Sequence, residues 1–174
     1  MGLQKNIIIE KDWNEQIKLD ENFIVYTVPG RHFSGRKFKR NQTLWMSYVL
    51  KCSSMQIFIG GDSGYDKHFS EIGKTYGDFD LVILENGQYD KSWKYIHLMP
   101  DEILKAAKEL NAKQLLPVHN SKFAIANHSW DDPLSKITEL NKKVNIRLIT
   151  PKIGELVDLS DSTQKFSEWW KNIN

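Results

Sequence analysis

Three short stretches each place one residue able to bind a metal where an apolar run ends. They are Val28-Pro29-Gly30-Arg31-His32, Ile57-Phe58-Ile59-Gly60-Gly61-Asp62 and Leu115-Leu116-Pro117-Val118-His119. Imidazole nitrogen suits zinc and its transition-metal neighbours, and a carboxylate suits harder cations. Such residues work together only if the fold gathers them, as the ends of parallel strands do at one edge of a sheet. Each also has an ordinary reading. His32, flanked by Arg31 and Arg36, reads as a surface-loop histidine, and Asp62, between Gly60-Gly61 and Gly64, as a turn or cap residue. His119 leaves an apolar strand for the polar pair Asn120-Ser121, a better place for a ligand than the strand interior.

The elements that must position these residues follow from periodicity. Strands are expected over 6–10, 23–28, 43–51, 56–59, 80–84, 114–118, 146–149 and 155–158. Those over 23–28, 56–59 and 80–84 are nearly continuous apolar runs, as strands covered on both faces are. Helices are expected over 67–76, with Phe69, Ile72 and Tyr76 inward and Gly77 as a stop, and over 101–110 after Pro100. A third is expected over 133–141, with Asp131 or Asp132 as its cap. A last amphipathic helix over 163–172, within a C-terminal stretch 160–174, would turn Phe166, Trp169 and Trp170 toward a core. The alternation of strand and helix predicts one α/β layered domain over 1–174.

Composition narrows the function less than it narrows the class. The chain has 174 residues, 40% hydrophobic and 26% charged, with a net charge of +2, the profile of a globular domain rather than a nucleic-acid binder. A single Cys52 excludes an internal disulfide and fits a reducing compartment. No apolar run approaches the ~20 residues of a membrane span, and 1–6 has no apolar signal core, so a cytoplasmic location is expected. Arg31, Arg36, Lys37, Lys39 and Arg40 form one basic cluster, which reads as a solvated loop or as a partner for phosphate or an anionic headgroup.

Longer motifs bring a resemblance. Gly60-Gly61-Asp62-Ser63-Gly64-Tyr65, Phe69-Ser70-Glu71-Ile72-Gly73 and Tyr76-Gly77-Asp78-Phe79-Asp80 resemble the metallo-β-lactamase-fold hydrolases. His97-Leu98-Met99-Pro100-Asp101-Glu102, Pro117-Val118-His119-Asn120-Ser121 and His128-Ser129-Trp130-Asp131-Asp132-Pro133 follow in the same order. The chain is most similar to the branch of N-acylphosphatidylethanolamine-hydrolysing phospholipase D, with ascorbate-6-phosphate lactonase more distant. The resemblance implies an αββα sandwich in which two metal ions, usually zinc, with manganese or iron as alternatives, are bridged by an aspartate and a hydroxide that attacks the substrate. Carried over, Asp62 matches the bridging aspartate, His32 a ligand of the first metal, His119 a ligand of the second, and His97 a histidine that reaches the substrate's polar group. Tyr65, His68, Tyr89 and Arg31 are expected around a substrate pocket, whereas His128 and Trp130 read as structural.

The family's His-x-His-x-Asp-His motif is not in the sequence. The expectation is therefore the C-terminal half of such a hydrolase, one sheet with its covering helices, short of metal ligands and with a phosphodiester or lactone substrate. An exposed sheet face would favour self-association or pairing with the missing N-terminal half. The alternative is a non-catalytic half-domain, stable as a homo-oligomer or beside a separately encoded partner. A third option is a one-metal enzyme using His32, Asp62 and His119 as a facial set.

Overall fold

In-register apolar residues build the centre of the molecule. The computed structural model describes residues 7–36 and 38–173. Its strands are β1 (Gln16–Asp20), β2 (Phe23–Pro29), β3 (Gly35–Arg36), β4 (Lys39–Arg40), β5 (Met46–Cys52), β6 (Gln56–Ile59), β7 (Leu81–Glu85), β8 (Gln114–Val118) and β9 (Arg147–Leu148). Seven of them form one mixed sheet in the order β1-β2-β5-β6-β7-β8-β9, and β3 and β4 make a separate hairpin. Pairing is antiparallel from β1 to β6 and parallel from β6 to β9. The parallel neighbours need crossovers, and these are helices: α1 (His68–Tyr76), α2 (Glu102–Glu109) and α3 (Asp132–Val144).

Register decides which face is which. Tyr26, Val49, Phe58, Val82, Leu115 and Leu148 lie opposite one another across six strands, and all are buried or packed against the core. The helices add Phe69, Ile72, Ile103, Ala107 and Ile137 to that core. Phe58 meets Phe69 and Phe79 at ring separations of 6.3 and 5.6 Å. Truncating one such ring costs about 3–5 kcal/mol. A Cβ on Gly73 of α1 would lie 1.8 Å from the Glu109 carbonyl oxygen, so only glycine lets α1 and α2 approach this closely.

Side chains alternate in β-strands, so the next rows face the other way. Ile17, Val25, Leu50, Ile57 and Leu81 form one row, and Thr27, Tyr48, Ile59, Ile83 and Leu116 the next. Most of these residues are only half-buried, and Tyr48 is exposed. The sheet thus has a helix-covered face and a second apolar face with little over it, the α/β layered arrangement expected.

Several elements differ from expectation. Residues 7–10 form no strand, and Ile7 and Ile9 are largely exposed; position 6 lies outside the described residues. The stretch 155–158 is irregular chain after a turn at 153–154, where Gly154 has φ +86° and Glu155 accepts a hydrogen bond from the Lys152 N–H. The helix expected over 163–172 is only a 3-10 turn, Trp169–Asn172. Asp158 accepts from Ser160, and Asp161 from the N–H and hydroxyl of Thr163. Such local bonds offer the backbone an alternative to helix. Trp170 is buried nonetheless, and Trp169 stacks on Trp130. Neither Asp131 nor Asp132 caps α3 by a side-chain bond; a left-handed Asn145 closes its other end.

Candidate metal centre

β2 runs antiparallel to β5, which runs antiparallel to β6, so β2, β6, β7 and β8 all point the same way. His32, Asp62, Glu85 and His119 sit at or just past the C-terminal ends of those four strands, and therefore at one edge of the sheet. His97 joins them from the loop after the 3-10 turn Lys91–Trp93.

The groups are close. His119 Nε2 lies 3.7 Å from Asp62 Oδ2. The His97 and His119 rings stack at 5.7 Å, and the His32 ring meets His97 edge-on at 5.6 Å. His32 shares its Nδ1 hydrogen with the Phe33 carbonyl at 2.9 Å, which leaves the Nε2 lone pair available. The Asp62 carboxylate accepts no hydrogen bond among the described residues, and its only basic neighbour within 4 Å there is His119. Imidazole and carboxylate are donors that fit zinc, manganese or iron, but His32, Asp62 and His119 do not lie within 4.8 Å of one another as a facial set would; His32 meets the cluster through His97.

Glu85 was not legible in the sequence. Its carboxylate is 1% exposed, and donor atoms of Glu85, His97 and His119 lie within 4.8 Å of one another. That closeness does not make Glu85 a ligand. Its Oε2 accepts the His97 Nδ1 hydrogen at 2.5 Å and its Oε1 accepts the Leu98 N–H at 2.7 Å, so both oxygens are engaged. Glu85 is a positioning residue for His97, fixing the ring through Nδ1 and leaving Nε2 without a hydrogen-bond partner among the described residues. Burial pushes the Glu85 carboxyl up to about 7, against the pull of the His97 hydrogen bond and charge. Burial alone would lower His97, but the hydrogen bond and charge of Glu85 outweigh it and hold the imidazole above its ordinary range.

The four residues expected around a substrate pocket have their polar groups engaged elsewhere. Arg31 donates to the Tyr65 carbonyl, pairs with Asp66 at 3.1 Å and covers the Tyr95 ring. Tyr65 donates its hydroxyl to Glu109 of α2, and burial and that carboxylate raise its pKa. Tyr89 is buried and hydrogen-bonded to Asp132, which together push its phenol pKa upward. His68 is buried 3.3 Å from Ser63 Oγ. The loops that carry His32 and Asp62 are clasped together at the ends of β2 and β6: Ser63 accepts the Arg31 N–H, and Gly64 donates to the Arg31 carbonyl. His128 is structural as expected, with one nitrogen bonded to the Ser129 carbonyl and the other accepting from Gln88 N–H.

Burial lowers His68 to about 4. Its folded pKa lies below the unfolded 6.5, so the stability it contributes is full above pH 6.5 and is lost as pH falls toward 4. The expected result is that wild type loses on the order of 2 kcal/mol relative to His68→Leu between those pH values, read by urea denaturation at each pH. Parallel curves for the two proteins would refute it.

Comparison with known proteins gives the family and the fold. The family described as "Beta-lactamase superfamily domain" matches residues 4–120. An uncharacterized protein of Mycobacterium tuberculosis is 35% identical over 173 residues, which is 98% of this chain and 46% of that protein. The chain thus spans about half the length of these mycobacterial relatives. The outer membrane protein RomA of Klebsiella pneumoniae is 50% identical over 103 residues, covering 59% of this chain and 78% of RomA. The N-acyl-phosphatidylethanolamine-hydrolyzing phospholipase D of Saccharomyces cerevisiae is 33% identical over 142 residues, 76% of this chain and 30% of the yeast protein. Among solved structures, Igni18, a metallo hydrolase from Ignicoccus hospitalis, has a TM-score of 0.64 at 17% identity, covering 86% of this chain and 59% of its own. The metallo-beta-lactamase fold protein YhfI from Bacillus subtilis has a TM-score of 0.59 at 18% identity, covering 80% and 51%.

Proposed function

The chain belongs to the β-lactamase superfamily, in its metallo-β-lactamase-fold family of metal-dependent hydrolases, and from that premise we propose that His32, Asp62 and His119 are its metal ligands. A bound zinc, manganese or iron ion would supply positive charge that polarises a substrate oxygen and lowers the pKa of water. His97, held by Glu85, keeps its Nε2 beside the centre, where it exchanges a proton with the substrate or its leaving group. Arg31 and Ser63 hold the loops in place, so ligand positions rest on the sheet rather than on flexible side chains. The substrate class we favour is a phosphodiester, with a lactone or ester next, because the yeast relative hydrolyses a phospholipid by its name.

The observation that carries this reading is the meeting of Asp62, His119, His97 and His32 from four separate segments. Three ligands are fewer than two zinc ions take. We therefore assign the remaining donors to a separate segment with the His-x-His-x-Asp-His pattern, which these 174 residues do not contain. The second reading, a non-catalytic half-domain that self-associates or takes a partner, is favoured by the thinly covered apolar rows around Tyr48, Ile57 and Ile83. One preparation tests both. Elemental mass spectrometry on chelator-free protein should find metal that Asp62→Asn loses, and sedimentation should find a dimer or larger species. No metal in wild type, even after loading with excess zinc, would overturn a metal site on this chain alone and favour the half-domain reading. A monomer at all concentrations would overturn the self-association.

A further inference from the structure

Charge is strongly segregated along this chain. Residues 23–61 carry six Lys or Arg and no Asp or Glu, whereas the remaining 135 residues carry 18 basic and 22 acidic side chains. Most of that positive charge gathers around one small feature. β3 and β4 pair Gly35 with Arg40 and Arg36 with Lys39, and Phe38, just ahead of β4, stands wholly in solvent, with a relative exposure of 104%. An aromatic ring displayed alone among cations gains nothing from folding. Burial is what such a ring offers to something else.

The hairpin is also tied to the candidate centre. Arg40 covers the Phe33 ring at 5.6 Å, and Phe33 stacks on His32 at 4.9 Å. Beside it lies a cavity of about 400 Å³ lined by Phe33, Ser34, Gly35, Lys39, Gln42 and Thr43. Ser34 Oγ is bonded to both the carbonyl and the N–H of Thr43, which pins the hairpin base.

We propose that this hairpin docks the protein on an anionic lipid surface, with Phe38 inserted at the headgroup level and Lys39 and Arg40 against the lipid phosphates. Basic residues beside a membrane draw it toward anionic lipid, and an aromatic tip adds apolar burial that charge alone does not. Single-stranded nucleic acid is the other polyanion with an affinity for aromatics. It is disfavoured because one ring on a short hairpin provides no groove along which a strand could run. Docking of this kind sets His32 and its neighbours close to the surface that holds the lipid.

Vesicle binding is read without turnover, so this surface stands or falls apart from the hydrolase reading. The full chain is sedimented with vesicles of phosphatidylcholine alone and with about 30% phosphatidylserine, at low and high salt. Binding only to the anionic vesicles, weakened by salt, is expected. Lys39→Glu should weaken it about tenfold or more, and Phe38→Ala several-fold with the salt dependence retained. Lys51→Glu, the same charge change at the far end of β5, should leave it nearly unchanged, and circular dichroism should show all three variants folded. Several results would overturn the proposal: no binding to anionic vesicles, equal binding to neutral ones, or folded Phe38 and Lys39 variants that bind like wild type. Full displacement by glycerophosphoserine would assign the site to a soluble anion instead, and displacement by single-stranded RNA to nucleic acid.

Discussion

Glu85→Ala is expected to cost the fold about 2–3 kcal/mol and to free the His97 ring, because it strips two donors of their acceptor at a site closed to water. Leu98 N–H, 2.7 Å from Oε1, and His97 Nδ1, 2.5 Å from Oε2, would both be left unsatisfied. Glu85→Gln separates the positioning role from bulk. A carboxamide has one acceptor oxygen, and the Leu98 N–H holds it in place. The NH₂ group then faces His97 Nδ1, which must become an acceptor, so the ring proton moves to Nε2. Imidazole ¹⁵N spectra should show Nδ1 protonated in wild type and Nε2 protonated in Glu85→Gln. An unchanged tautomer would reduce Glu85 to a packing role.

The same pair shapes the response to pH. Glu85 and His97 both have folded pKa values above their unfolded ones. Their stabilisation is therefore full below the unfolded values and lost as pH rises through the folded values, near 7 for Glu85. His68 works in the opposite sense between pH 6.5 and 4. The two contributions offset each other across that window, so the His68 effect emerges only as a difference between wild type and variant.

Much of the candidate site could be read because the residues proposed as ligands end apolar strands. Val28 before the His32 turn, Ile59 before Asp62 and Val118 before His119 mark strand ends by composition alone, and parallel pairing brings β6, β7 and β8 ends together. Glu85 was invisible for a related reason. A charge after Leu81-Val82-Ile83-Leu84 reads as a strand reaching solvent, and it is buried only because His97 and Leu98, 12 and 13 residues on, fold back over it. β1 was missed because its alternation, Ile17 and Leu19 among polar residues, is short and sits at an edge. The C-terminal stretch misled in the other direction. Helical spacing of Phe166, Trp169 and Trp170 is present, but the carboxylates of Asp158 and Asp161 hold the preceding backbone in turns.

Gly87→Ala is expected to lower stability by about 2–3 kcal/mol, a loss of about 5–10 °C in Tm, and to shift His119 out of the centre. A Cβ on Gly87 would lie 2.2 Å from the His119 carbonyl oxygen and 3.1 Å from its carbon. These are backbone atoms, so no rotamer change relieves the clash. The segment has little room to retreat. Asn86 N–H is bonded to the Val118 carbonyl at 2.7 Å, and His119 and Ser121 both hold left-handed backbones, with φ +62° and +66°. A left-handed histidine costs about 1–2 kcal/mol relative to an ordinary conformation, strain carried where the ring must leave β8 toward Asp62. His119→Gly should accordingly raise stability by about 1 kcal/mol while removing the ligand, the opposite sign to Gly87→Ala. Thermal denaturation and metal content, measured on both variants, separate the two effects. If Gly87→Ala melted like wild type and kept its metal, close backbone approach would not be what aims His119. If His119→Gly were less stable than wild type, the turn would carry no strain for the ligand's sake.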